Sequence, residues 1–100
     1  MYKWHASGLK ELLTSISSVE APCIFIQGRF DGAYRQTCKR SAIGVSIELV
    51  RESTRQSTPL LDLGQEMLLK DSYEAEMCAA EALTRECLKL YTKLHIATNH

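Results

Sequence analysis

The sequence predicts an α/β fold: a mixed sheet in which a three-strand antiparallel meander leads through a crossover helix to a parallel fourth strand. Three observations lead there. Ile43, Val45, Ile47 and Leu49 alternate with Gly44, Ser46 and Glu48, the period of a half-buried strand. The run Cys23 to Phe30 carries apolar residues on both of its faces, which favours a central strand. From Ser72 to Asn99 there is neither glycine nor proline, and Asp71 with Glu74 has the spacing of a capping box.

Residues 1–22 read as an N-terminal helical extension, and residues 23–100 as the α/β domain. In the extension, Ser7 can cap a short helix whose Leu9, Leu12, Leu13 and Ile16 share one face, and Pro22 stops it. Tyr2 and Trp4 are expected to pack on that helix rather than to stack on bases. The first strand, 23–30, sets Ile24, Ile26 and Phe30 on one face and Cys23 and Phe25 on the other. A polar, basic connection, 31–41, leads to the second strand at 42–50. Residues 52–59 are turn-like, and 60–69 form a third strand with Gly64 as a candidate bulge. The helix spans 72–91. Leu94 to Thr98 supplies the fourth strand, expected beside 23–30, with 42–50 on the other side.

Bulk composition excludes several classes. Twelve basic side chains balance twelve acidic ones, so total charge demands neither a nucleic acid nor a membrane. The distribution is uneven, with the basic residues Arg29, Arg35, Lys39, Arg40, Arg51 and Arg55 in one half and an acidic excess between Leu60 and Leu90. Cys23, Cys38, Cys78 and Cys87 contain no C-x-x-C pair, which suits reduced thiols and an intracellular, non-secreted protein. No eighteen-residue apolar run is present to span a bilayer. His5, His95 and His100 lack metal-ligand spacing, and Cys78 and Cys87 read as inert thiols.

Two carboxylates stand out against the apolar pattern. Glu76 falls in a helical stripe with Tyr73, Ala80, Leu83, Cys87 and Leu90, opposite Glu74, Glu81, Arg85 and Lys89. A carboxylate aimed at a core is costly unless it is paired, protonated or bound to a cation. It is therefore salt-bridged to an Arg or Lys, or at a boundary position open to solvent, or it is a metal ligand or general acid/base. Asp31 ends the first strand, where open α/β sheets place ligands. A right-handed crossover would bring Asp31, Glu76 and Asn99 to one edge of the sheet, with the first two close enough to share a divalent ion.

The motifs Phe-Asp-Gly-Ala-Tyr-Arg (30–35), Ala-Ile-Gly-Val-Ser-Ile-Glu-Leu (42–49) and Ser-Tyr-Glu-Ala-Glu-Met-Cys-Ala-Ala-Glu-Ala-Leu (72–83) together resemble the ribonuclease H family, especially its plant and retroelement members. The resemblance covers residues 23–100 and implies a ribonuclease H-like domain, incomplete at its C-terminus. It further implies metal-dependent hydrolysis of the RNA strand of RNA/DNA hybrids with Mg²⁺ or Mn²⁺, Asp31 and Glu76 being metal ligands. Asn99 would stand where the family's third carboxylate ends the fourth strand, and a fourth carboxylate would be missing, so catalysis is expected to be impaired. Arg35, Lys39 and Arg40 would hold the nucleic-acid backbone. Two rival readings are a non-catalytic ribonuclease H-like module that binds nucleic acid or protein, and an unrelated small α/β interaction domain with Glu76 salt-bridged.

Overall fold

The computed structural model describes residues 1–18, 21–68 and 71–98. In chain order these form β1 (Tyr2–Trp4), α1 (Ala6–Ile16), a 3₁₀ turn (Ala21–Cys23), β2 (Ile24–Arg35), β3 (Arg40–Arg51), β4 (Ser57–Met67) and α2 (Ser72–Thr98). One sheet runs in the order β1-β4-β3-β2, and every neighbouring pair is antiparallel.

The meander forms because β3 alternates cleanly. Ile43, Val45, Ile47 and Leu49 are each no more than 5% exposed, while Gly44, Ser46 and Glu48 on the other face stay partly open. Paired across from them, β2 turns Gly28, Phe30 and Gly32 to the same side as those buried residues. There α2 lies on the sheet. A Cβ built on Gly32 would meet the Ala75 carbonyl at 2.4 Å, and one on Gly28 would meet Leu83 at 2.9 Å, so the two glycines let the helix approach closely. Ala75 sits over Gly32 and Leu83 over Gly28, so α2 runs opposite in direction to β2.

Small residues therefore face the sheet. Ala75, Ala79, Ala82, Glu86 and Leu90 are the buried line of α2, spaced four, three, four and four apart. Leu12 of α1 joins the same core cluster as Ile47, Leu49, Leu60, Leu61 and Leu90. Gly8 allows that seating, since a Cβ there would lie 2.1 Å from the Pro59 carbonyl oxygen. Arg51 of β3 ties α1 down by an ion pair to Glu11 at 2.8 Å and a hydrogen bond to Ser15 Oγ at 3.1 Å.

Several expectations are corrected. Residues 94–98 are not a parallel fourth strand but the last turns of α2. The pattern Leu-His-Ile-Ala-Thr is ambiguous over five residues, and nothing before it breaks the helix; Leu94 lies one turn beyond Leu90 and packs on the core from α2. Strand β2 is an edge strand, not a central one, and accordingly Phe25, Ile26 and Phe30 are 42%, 39% and 47% exposed. The missing neighbour is replaced at the far edge by β1, where Tyr2, Lys3 and Trp4 pair with Leu63, Asp62 and Leu61.

The mixed-sheet fold class falls with these observations, and so does membership of the ribonuclease H family, whose topology needs the crossover to a parallel strand. The hybrid-cleaving hydrolase and the ribonuclease H-like binding module both depended on that fold, and neither is retained. Boundaries move too. Asp31 does not end a strand: β2 continues to Arg35 and turns into β3 through residues 36–39, with Lys39 at a φ of 51°. The irregularity in the β3–β4 ladder lies between Ile47 and Glu48, opposite Leu61 and Pro59, while Gly64 pairs regularly with Gly44. Helix α1 starts at Ala6 with His5 at its N-cap, two residues earlier than a Ser7 cap allows.

Candidate functional site

The expected site residues are distributed as follows. Asp31 is exposed in mid-β2, paired with Gly44, and strand alternation directs its side chain to the face away from α2. Glu76 is exposed on the flank of α2 nearer β2. Their backbones are close, for Gly32 abuts the peptide between Ala75 and Glu76, yet the two side chains leave from opposite faces of β2. Asn99 lies outside the described residues. Among those described, no group of three or more His, Cys, Asp or Glu side chains could hold a metal ion. Arg35, Lys39 and Arg40 are exposed around the β2–β3 turn, where Arg35 and Arg40 line a groove of about 240 Å³ that also contains Glu66.

A different constellation is built where β1 meets α2. Tyr2 and Trp4 alternate onto the α2 side of the sheet, two residues apart. Along α2, Arg85, Lys89 and Lys93 follow one another at intervals of four, one turn each. Glu86 anchors the two elements to each other. It is only 3% exposed, its Oε2 accepts a hydrogen bond from Tyr2 Oη at 2.8 Å, and its Oε1 accepts one from Lys89 Nζ at 3.0 Å. Trp4 Nε1 donates in turn to Tyr2 Oη at 2.6 Å. The chain Trp4, Tyr2, Glu86, Lys89 thus satisfies both oxygens of a buried carboxylate, which otherwise would be expensive to desolvate.

The cations stand against the rings. Lys89 Nζ lies 5.4 Å from the Tyr2 ring centre and Lys93 Nζ 5.4 Å from that of Trp4. The hydrogen bond to Glu86 pushes the Lys89 pKa up, against a smaller opposing effect of desolvation, so this lysine stays charged beyond the ordinary range. Next to it, burial and then the Glu86 charge push the Cys87 thiol up, which keeps it protonated and poorly nucleophilic.

These residues line a groove of about 560 Å³ formed by Tyr2, Trp4, Arg85, Leu88, Lys89, Thr92 and Lys93. Every charged side chain on its wall is a cation. Beyond Tyr2, Arg85 and Lys89 it meets a second cavity of about 370 Å³, closed on its inner side by Ile43, Leu63, Met67, Cys78 and Ala82, with Gln65, Glu81 and Glu86 as polar lining. Among the described residues Arg85 makes no ion pair, which leaves a planar, five-donor guanidinium facing both spaces.

The sequence contained the parts of this groove but not their meeting. Arg85 and Lys89 were legible as one helical face, and Tyr2 and Trp4 as a pair; their juxtaposition required β1 to join the sheet edge beside α2. No family model, curated protein or solved structure matches the chain.

Proposed function

We propose that the chain is a binding module for a small organic anion that carries a flat ring, held in the groove between β1 and α2. The observation that carries this is the groove wall: two aromatic rings and three cations, with no acidic side chain among its lining residues. Arg85 offers paired N–H donors that match a phosphate or carboxylate. Lys93 adds charge, and Trp4 and Leu88 an apolar surface for the ring. Glu86 does not oppose an anion, because its charge is neutralised by Lys89 and its oxygens are occupied.

Trp4 is the only tryptophan, so its emission reports on this groove directly. Titration with phenyl phosphate should quench it saturably, while inorganic phosphate and phenol, each offering half of the recognised chemistry, should bind at least about tenfold more weakly. Arg85→Ala should weaken phenyl phosphate by about tenfold or more, the usual worth of a charge-assisted hydrogen-bond pair. Absence of saturable quenching by phenyl phosphate and by benzoate, or equal affinity in Arg85→Ala, would overturn the proposal.

A further inference from the structure

On the other side of the molecule, β2 is the outer strand of the sheet, and among the described residues no strand pairs beyond it. The Glu52 N–H donates to the Cys23 carbonyl at 2.9 Å, continuing the β2–β3 pairing by one step, so the odd-numbered residues of β2 turn their backbone groups to β3. Its even-numbered residues, from Ile24 to Tyr34, turn their N–H and C=O groups outward. Natural edges of this length are usually blunted by proline, a bulge or lysine. Strand β2 has none of these: its register with β3 is unbroken from Ile24 to Arg35.

We infer that this edge pairs with the same edge of a second copy, β2 against β2 about a two-fold axis through Phe30, making one continuous eight-stranded antiparallel sheet. The charge pattern selects both the occupant and the register. In an antiparallel pair, residues that face one another must have the same outward parity, so the register can slide only in steps that put one residue of β2 on the axis. With Phe30 there, Arg29 faces Asp31 of the other copy and Asp31 faces its Arg29, giving two cross-strand ion pairs. The same register sets Gly28 opposite Gly32, Ile26 opposite Tyr34 and Phe25 opposite Arg35.

The adjacent registers bring like charges together, and an axis at Gly28 forms no ion pair, setting Arg29 against Gln27 and Asp31 against Phe25. An axis at Arg29 sets the two Arg29 side chains against each other, an axis at Asp31 does the same for the aspartates, and an axis at Gly32 opposes Arg29 to Arg35. The partner's Asp31 joins a contact already begun, because Arg29 lies 3.6 Å from Glu48 of its own β3 and remains 67% exposed. The symmetric arrangement closes on itself, and its outer edges are the three-residue β1 strands, which are too short to propagate it.

The test is charge reversal read by sedimentation equilibrium across a range of concentrations. Both side chains are exposed, so the variants should keep the fold. The unaltered chain should dimerise and Arg29→Asp and Asp31→Arg should each weaken the dimer by about tenfold or more, since each converts two attractions into two repulsions. The double variant Arg29→Asp/Asp31→Arg should recover the dimer. Concentration-dependent hydrogen-exchange protection should appear at the amides of Ile26, Gly28, Phe30 and Gly32. A chain that stays monomeric at millimolar concentration, which would leave the edge to an extended peptide of another protein, overturns the inference. So does a dimer that neither single reversal weakens.

Discussion

At the level of single residues, the chain shows how one buried carboxylate organises its surroundings. Glu86 is drawn beneath α2 by the small-residue line Ala75, Ala79, Ala82, and is tolerated there because Tyr2 and Lys89 each give it a donor. The sign of the resulting pH dependence follows from Lys89, whose pKa in the folded chain lies above its unfolded value near 10.4. Its stabilising contribution is then complete below about pH 10 and is lost as pH rises through the raised value. Urea unfolding of the chain and of Lys89→Met, compared from about pH 8 to pH 12, should show a stability difference that shrinks across the alkaline end. A difference that stays constant would remove the Glu86 contact from the account. In the sequence, Glu86 was only one acid among several in the helix; Glu76 drew attention because the stripe was centred by hydrophobicity, which counts Tyr73 and Leu83 above alanine. The sheet surface reversed that order at Gly32, where the backbone of Ala75 and Glu76 lies against the strand and leaves no room for a large side chain.

Among the elements, β3 and the α2 core were legible from periodicity alone, since alternation at Ile43 to Leu49 and an unbroken run of helix formers leave few alternatives. The limits of β2 and α2 were not. Asp31 reads as the end of the first strand, but the backbone at 31–32 is ordinary extended strand with no positive φ, and Gly32 is required for space. The consequence is measurable. Gly32→Ala should destabilise the chain by about 1–3 kcal/mol, because its Cβ would lie 2.3 to 2.5 Å from the backbone of Ala75 and Glu76, which cannot move without lifting α2. Gly64→Ala is the matched control. Nothing lies within 4 Å of its Cβ position, and the loss of unfolded-state freedom should stabilise the chain by about 0.5 kcal/mol. Similar urea midpoints for the two variants would contradict the close helix–strand contact.

In the whole molecule, the pairing of strands that lie far apart in sequence decides the fold. The meander β2–β3–β4 follows from chain neighbours, whereas the partner of an outer strand is decided by whichever segment can reach it. Leu94 to Thr98 looked eligible for β2, but continuation of α2 keeps its backbone hydrogen bonds without opening any, and Leu94 packs on the core from the helix. Tyr2 to Trp4, only three residues long, was too short to register as a strand by alternation; it pairs with β4 and is held beside α2 by the Tyr2–Glu86 hydrogen bond and the partly buried Trp4. Both functional inferences rest on this outcome: the groove exists only where β1 borders α2, and the dimer edge is free only if residues 94–98 do not pair with β2.

Nuclear Overhauser contacts in the isotopically labelled chain distinguish a sheet edged by β1 from one edged by residues 94–98. Cross-strand contacts of Tyr2 with Leu63 and of Trp4 with Leu61 are expected, together with a helical pattern of sequential amide contacts through Leu94 and His95. Strand-type contacts between residues 94–98 and 24–30 would contradict this topology.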